Sequence, residues 1–205
     1  MPEPSHPSPP RLILASTSAY RRMLLERLHL PFEVQSPHTD ETVLAGESPR
    51  EVSLRLALAK ARAVAATRPA AVVIGSDQTA SLDGLRTIGK PGNHERARAQ
   101  LREVSGRTLT FHSALAVVRL EDAFEQADVI DTRVRFRELS DSAIERYLEL
   151  EPAYDCAGSA KAEGLGIALM AGFESSDPTA IVGLPLIALT RMLLAAGLDV
   201  LDAPR

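Results

Sequence analysis

Ser16-Thr17-Ser18, followed by Ala19-Tyr20-Arg21-Arg22, joins a short apolar run to an amphipathic one. Small hydroxyl residues between a strand and a helix leave backbone N–H groups free at the helix start, an arrangement that suits a phosphate. Two arginines in a first helical turn oppose the helix dipole at a cost of about 0.3–1 kcal/mol each, and a bound anion reverses that sign. A plain Ser18 cap with solvated arginines explains the same residues. Asp77 follows a buried run ending at Gly75, and a carboxylate at the carboxyl end of such a strand sits where open α/β sheets bind ligands. A turn aspartate bonding its own backbone fits that position equally. Asp40 and Glu41 form an acidic loop pair of the oxygen-donor type that suits magnesium or manganese, although solvated loop charge is the commoner origin of such a pair. Lys60 lies among apolar and small helix neighbours, and Lys90 in the turn Gly89-Lys90-Pro91; each also reads as a surface lysine. Cys156 has no histidine patterned with it and reads as a structural cysteine.

These residues need a frame, and the hydrophobic pattern supplies one. Arg11 to Ala15 and Phe32 to Gln35 read as short strands flanking a helix that extends to about His29. Ser48, Pro49 and Glu51 form a capping box with proline at the first helical position, opening an alanine- and leucine-rich helix that ends before Pro69. Ala71 to Gly75 is a strand buried on both faces, followed by a short strand and an Asp83-Gly84 turn. Asn93 caps a helix that runs to Ser105. Thr108 to Leu120 and Val129 to Phe136 form a long hairpin around a polar connection. Ser140 opens another helix, a glycine-punctuated loop covers Gly158 to Gly166, and Pro185 starts a last helix closed by Gly197. Strands alternating with helices, interrupted by one hairpin, give an α/β domain with a mixed sheet.

Bulk properties exclude several classes. The formal net charge of -4 over 205 residues leaves no global footprint for nucleic acid, so contact with polyanions must be local. A single cysteine and five scattered histidines argue against thiolate or histidine zinc sites. No apolar run approaches the roughly 18 residues of a membrane span. Residues 1–10 hold five prolines and two serines without the apolar stretch of a signal peptide, which reads as a disordered tail on a cytoplasmic protein with one domain over 11–205.

Taken together and in order, the segments resemble the Maf-like nucleotide pyrophosphatases. The resemblance runs from Leu12 to about Gly197. It rests on L-I-L-A-S-T-S at Leu12 to Ser18, Asp40-Glu41-Thr42, L-A-L-A-K-A at Leu56 to Ala61, and I-G-S-D-Q at Ile74 to Gln78. It continues through Gly89-Lys90-Pro91, C-A-G-S-A-K-A-E-G at Cys156 to Gly164, and V-G-L-P-L at Val182 to Leu186. The family pattern usually has proline where this chain has Ala19.

The resemblance implies a twisted mixed sheet flanked by helices, ITPase-like, with two lobes around a central cleft. It implies hydrolysis of the α–β phosphoanhydride of a nucleoside triphosphate with a divalent cation, magnesium or manganese, by a homodimer. Asp77 then matches the catalytic proton acceptor. Ser16, Ser18 and Arg21 match the phosphate-binding segment, and Glu41, Lys60 and Lys90 the other polar residues of the pocket, with Glu41 and Asp77 as the metal-binding pair. Within the family, I-G-S-D-Q and A-G-S-x-K-x-E-G look like the branch acting on 7-methyl-GTP, with Tyr20, Gln78 and Glu163 selecting the base. That branch usually has tryptophan where Tyr20 stands. Two alternatives stay open on these residues: a dTTP, UTP or modified-nucleotide pyrophosphatase of the same family, and a nucleotide-responsive regulator of cell division with little turnover.

Overall fold

In the computed structural model, which describes residues 10–202, a single six-stranded sheet carries the molecule. Its strands are β1 (Leu12–Ala15), β2 (Phe32–Val34), β3 (Val72–Ser81), β4 (Thr108–Arg119), β5 (Phe124–Phe136) and β6 (Met170–Ser175), in the spatial order β2-β1-β3-β4-β5-β6. β1 runs parallel to both β2 and β3, and every later pairing is antiparallel. The mixed α/β sheet expected from the hydrophobic pattern is therefore present. The tail expected at residues 1–10 lies, but for Pro10, outside the described residues. No described helix is long and apolar enough to cross a membrane.

Among the described residues five α-helices cover the sheet: α1 (Ala19–Glu26), α2 (Pro49–Ala65), α3 (His94–Val104), α4 (Asp141–Leu150) and α5 (Leu186–Ala195). The caps read from the sequence are in place. Ser48 and Glu51 exchange both capping-box bonds at α2, and Asn93 and Ser140 accept from the third residues of α3 and α4.

Alternation along β4 separates two groups of helices on one face of the sheet. Leu115 and Val117 pack with Leu24 and Leu25 of α1 and Leu189 and Leu193 of α5. Leu109 and Phe111 point to the same face but pack with Leu101 of α3 and Ile144 and Leu148 of α4. Two lobes thus share one sheet, with a cleft between them. On the opposite face α2 lies alone, its Ala57, Ala61 and Val64 against Ile13, Val73 and Ala116.

The cleft begins where β1 stops. The register pairs Ala15 with Gly75, and the chain then leaves through Ser16 to Ser18, so the rest of β3 loses its neighbour on that side. The carboxyl ends of two adjacent parallel strands open onto this gap, the position at which open α/β sheets bind ligands. One correction follows: Asp77 does not lie beyond the strand's end but in its middle, paired with Ala114 of β4. The polar run Ser76-Asp77-Gln78-Thr79 reads as the end of a buried strand, yet β3 continues unbroken to Ser81.

Candidate active site

The cleft has a volume of about 790 Å³, and it is lined by Ser16, Ser18, Tyr20, Arg21, Glu41, Lys60, Asp77, Gln78, Lys90 and Glu163, all singled out for chemistry in the sequence. At its floor stands an ion triad built on a buried Lys60–Asp77 pair. Lys60 Nζ lies 2.6 Å from Asp77 Oδ1 and 2.7 Å from Glu41 Oε1. The lysine side chain is 6% exposed and that of Asp77 11%, whereas Glu41 is 60% exposed and reaches in from the loop before α2. An ammonium so deeply buried requires partners, because an unpaired one loses its hydration without return. Asp40, the other half of the acidic pair, turns away from this chemistry. Its Oδ1 accepts from the Thr42 backbone N–H at 2.9 Å and from the Thr42 hydroxyl at 2.6 Å, a side-chain turn that aims Glu41.

Burial raises the Asp77 carboxyl above the usual carboxylate range. Lys60 and Arg21 oppose that rise through their charge, and Glu41 adds to it. The result is a carboxylate more basic than an ordinary aspartate, held by a cation through one oxygen only.

The phosphate-type segment resolves its two arginines into different roles. Arg22 turns outward and pairs with Glu26 one turn later, at 2.9 Å. Arg21 turns inward, where Nε donates to the Gly183 carbonyl at 3.0 Å and Nη1 to Ser16 Oγ at 3.4 Å. Ser18 caps α1 by accepting from the Arg21 backbone N–H, and its own N–H donates to Ser16 Oγ at 3.2 Å. Gly183, at φ 114° where a side chain is strained, presents a carbonyl that also accepts from Ser76 Oγ at 2.9 Å. The V-G-L-P-L segment therefore orients Arg21. Asp177 in turn fixes that segment: one oxygen accepts from the Thr179 N–H and hydroxyl, the other from the Ile187 N–H at 2.6 Å at the start of α5. Asp177 escapes a reading of the sequence because nothing in its spacing separates it from a loop aspartate.

Gln78 donates through Nε2 to Ser113 Oγ at 2.8 Å and to the carbonyls of Ala180 and Ile181 at 3.0 and 3.2 Å. Its donor end positions the Ala180–Val182 turn, and only its carbonyl oxygen is left for a base. Lys90 is exposed on its turn, which Gln100 steadies by donating to the Gly89 carbonyl at 2.9 Å. Gln100 also accepts from the Ser159 hydroxyl at 2.6 Å, so one side chain joins the lysine turn to the loop carrying Glu163. Thr39 faces the cleft with its hydroxyl buried and without a partner among the described residues, and no sequence signal marked it.

Burial pushes the Cys156 thiol up to about 12, and its Sγ lies 3.7 Å from the Ala153 carbonyl. A thiol that titrates there stays protonated at neutral pH and is a poor nucleophile. Incubation of the folded protein with iodoacetamide at pH 8 is expected to leave Cys156 unmodified by intact mass over a period that alkylates it fully in denaturant. Equal labelling rates in the two conditions would contradict the burial argument.

Among the described residues no three His, Cys, Asp or Glu side chains gather closely enough to make a metal cage. Two carboxylates, Glu41 and Asp77, do converge on one point, marked by Lys60 Nζ. That donor set fits magnesium or manganese, which protein sites commonly hold by one or two carboxylates with substrate phosphates completing the shell. It does not fit zinc.

Comparison with known proteins gives the geometry its family. Residues 11–196 match the model of the family described as Maf-like protein. The chain belongs to that family. A relative from Albidiferax ferrireducens is 56% identical over 97% of this chain and 100% of its own length, and one from Polaromonas sp. is 61% identical over 91% and 84%. A third, from Bordetella pertussis, is 62% identical over 93% and 94%. All three are named 7-methyl-GTP pyrophosphatase. The Maf-like match covers nearly the span over which the motifs line up, from the β1 strand through α5.

Proposed function

We infer that this chain hydrolyses 7-methyl-GTP to 7-methyl-GMP and pyrophosphate. The observation that carries the reading is the buried Asp77–Lys60 pair, joined by Glu41, in a cleft that Tyr20 and Glu163 also line. The names of the close relatives support the same substrate.

The residues divide by depth. Ser16, Ser18 and the α1 N-terminus seat phosphate oxygens, and Arg21, Lys60 and Lys90 offset the charge that spreads over them in the transition state. Water attacks the α-phosphorus, the bond from that phosphorus to the bridging oxygen breaks, and pyrophosphate departs. Asp77 takes the proton of the attacking water. Because Oδ1 is held by Lys60, Oδ2 is the oxygen that receives it. Glu41 and Asp77 would hold the divalent cation, which when bound would polarise the phosphate and offset charge on the leaving group.

Tyr20 and Glu163 read the base. Methylation at N7 makes the guanine ring cationic, so an aromatic face gains about 0.5–2 kcal/mol from the cation. The Glu163 carboxylate accepts from N–H groups on the pairing edge, a bond strengthened by charge. Cleavage of 7-methyl-GTP, GTP, dTTP, UTP and CTP with magnesium or manganese, with products separated chromatographically, tests the reading. The fastest release of monophosphate and pyrophosphate is expected from 7-methyl-GTP, and a faster rate with dTTP or UTP would refute the base assignment. Glu163→Gln is expected to lower kcat/KM for 7-methyl-GTP by roughly ten- to a hundredfold, the worth of a charged hydrogen bond. Manganese affinity, measured separately, should stay unchanged in this variant.

A further inference from the structure

Asp155 and Lys161 line the cleft beside Tyr20 and take no part in the chemistry above. The Tyr20 hydroxyl donates to Asp155 Oδ2 at 3.0 Å, and Lys161 Nζ pairs with Asp155 Oδ1 at 3.1 Å. The same ammonium stands 5.8 Å from the centre of the Tyr20 ring. One carboxylate thus holds both the polar end of the ring and a cation against its face. A phenylalanine or tryptophan at position 20 would lack the hydroxyl through which this arrangement is tied.

A resident cation beside the ring matters when the ligand is also a cation. An aromatic quadrupole attracts positive charge, but two like charges sharing its neighbourhood repel one another. With Asp155 ionised, Asp155 and Lys161 cancel, and a positively charged base meets a neutral pair. With Asp155 neutralised, the base meets an uncompensated ammonium. Burial tends to raise the Asp155 carboxyl, but its bonds from Lys161 and Tyr20 outweigh that and hold it below the ordinary range, so it is charged at neutral pH.

We propose that Asp155 balances the charge of Lys161 so that Tyr20 accepts a cationic base, which makes Asp155 a determinant of the preference for N7-methylated guanine. The proposal rests on the 7-methyl-GTP reading and adds to it two residues, of opposite sign, whose effects must cross. A residue that merely propped the Tyr20 ring would affect any purine alike. Charge balance affects only a purine that carries charge.

The test compares 7-methyl-GTP with 7-methyl-7-deaza-GTP, which keeps the methyl group in place but has a neutral ring. The ratio of the two kcat/KM values is the readout. The unmodified protein is expected to favour the charged substrate. Asp155→Asn is expected to lower the ratio about tenfold, equivalent to about 1.4 kcal/mol, with the neutral substrate little affected. Asp155→Glu should retain the preference. The double variant Asp155→Asn with Lys161→Met removes both charges and is expected to recover the ratio even if its overall rate falls. Equal losses on both substrates in Asp155→Asn, an unrecovered ratio in the double variant, or equal use of both substrates by the unmodified protein would each overturn the proposal. Absence of cleavage of either substrate by the unmodified protein would instead refute the activity from which it starts.

Discussion

Asp77→Asn is expected to lower kcat for 7-methyl-GTP by about 10³-fold, within the range associated with removing a positioned general base, while the protein stays folded. Asparagine has nearly the volume of aspartate and its carbonyl oxygen still accepts from Lys60 Nζ, so the 2.6 Å contact beneath the site survives in kind. Lys60 also keeps Glu41 as a counter-charge, at 2.7 Å. What is lost is the oxygen that takes the proton from water. Asp77→Leu makes the contrast: it removes the buried partner of the almost fully buried Lys60 ammonium, leaving only the largely exposed Glu41, and should cost about 3–5 kcal/mol of stability as well as activity. Single-turnover rates with circular dichroism and thermal melts on both variants separate the two effects. A near-normal rate in Asp77→Asn would remove this residue from the chemistry, whatever the melts showed.

Much of this site was legible because the residues concerned break local rules. Two arginines in a first helical turn, a lysine among alanines and leucines, and a carboxylate against a buried strand each conflict with the simplest structural role of their position, and all of them but Arg22 face the cleft. The helix boundaries were legible for the opposite reason, since Ser48, Asn93 and Ser140 are ordinary caps whose bonds form as their chemistry suggests. Strand limits were less so. Polar Ser76 to Thr79 mask the continuation of β3, because their side chains meet a ligand cleft and buried partners rather than a hydrophobic core. β5 starts at Phe124, five residues before the apolar signal at Val129, since the first part of the hairpin has polar side chains that face water. β6 gave no signal at all: it is an exposed edge strand containing Gly172, with little of its surface in the core. The loop partners Asp177, Gln100 and Asp155 were invisible for a different reason. Their roles depend on backbone groups and side chains 10 to 135 positions away, which no local pattern encodes.

Gly75→Ala is expected to damage stability and catalysis together, from a position that touches no substrate. Gly75 sits at the last β1–β3 pair, with α2 pressed flat against it. A methyl group there would come within 2.6 Å of the Ala61 N and closer still to the Ala57 carbonyl oxygen. Both obstacles are helix backbone, so trimming a side chain cannot relieve them and α2 must move as a body. Overpacking of this kind costs about 2 kcal/mol, or roughly 4–8 °C in Tm for a chain of this size. The catalytic cost follows from what α2 carries. Lys60 precedes Ala61, and Asp77 lies two residues beyond Gly75 on the same face of β3, so the contact that sets the helix height also sets the Lys60–Asp77 separation. Misplacing a catalytic pair by about 1 Å can cost about 10²-fold in rate, and kcat should fall by that order even at temperatures where the variant is fully folded. Ala61→Gly in the same chain removes the Ala61 Cβ contact but leaves both backbone contacts, and should restore little of either quantity. A Gly75→Ala protein with unchanged Tm and kcat would mean that α2 can shift without disturbing the ion triad. The close packing of small residues between α2 and β3 would then have no bearing on the chemistry.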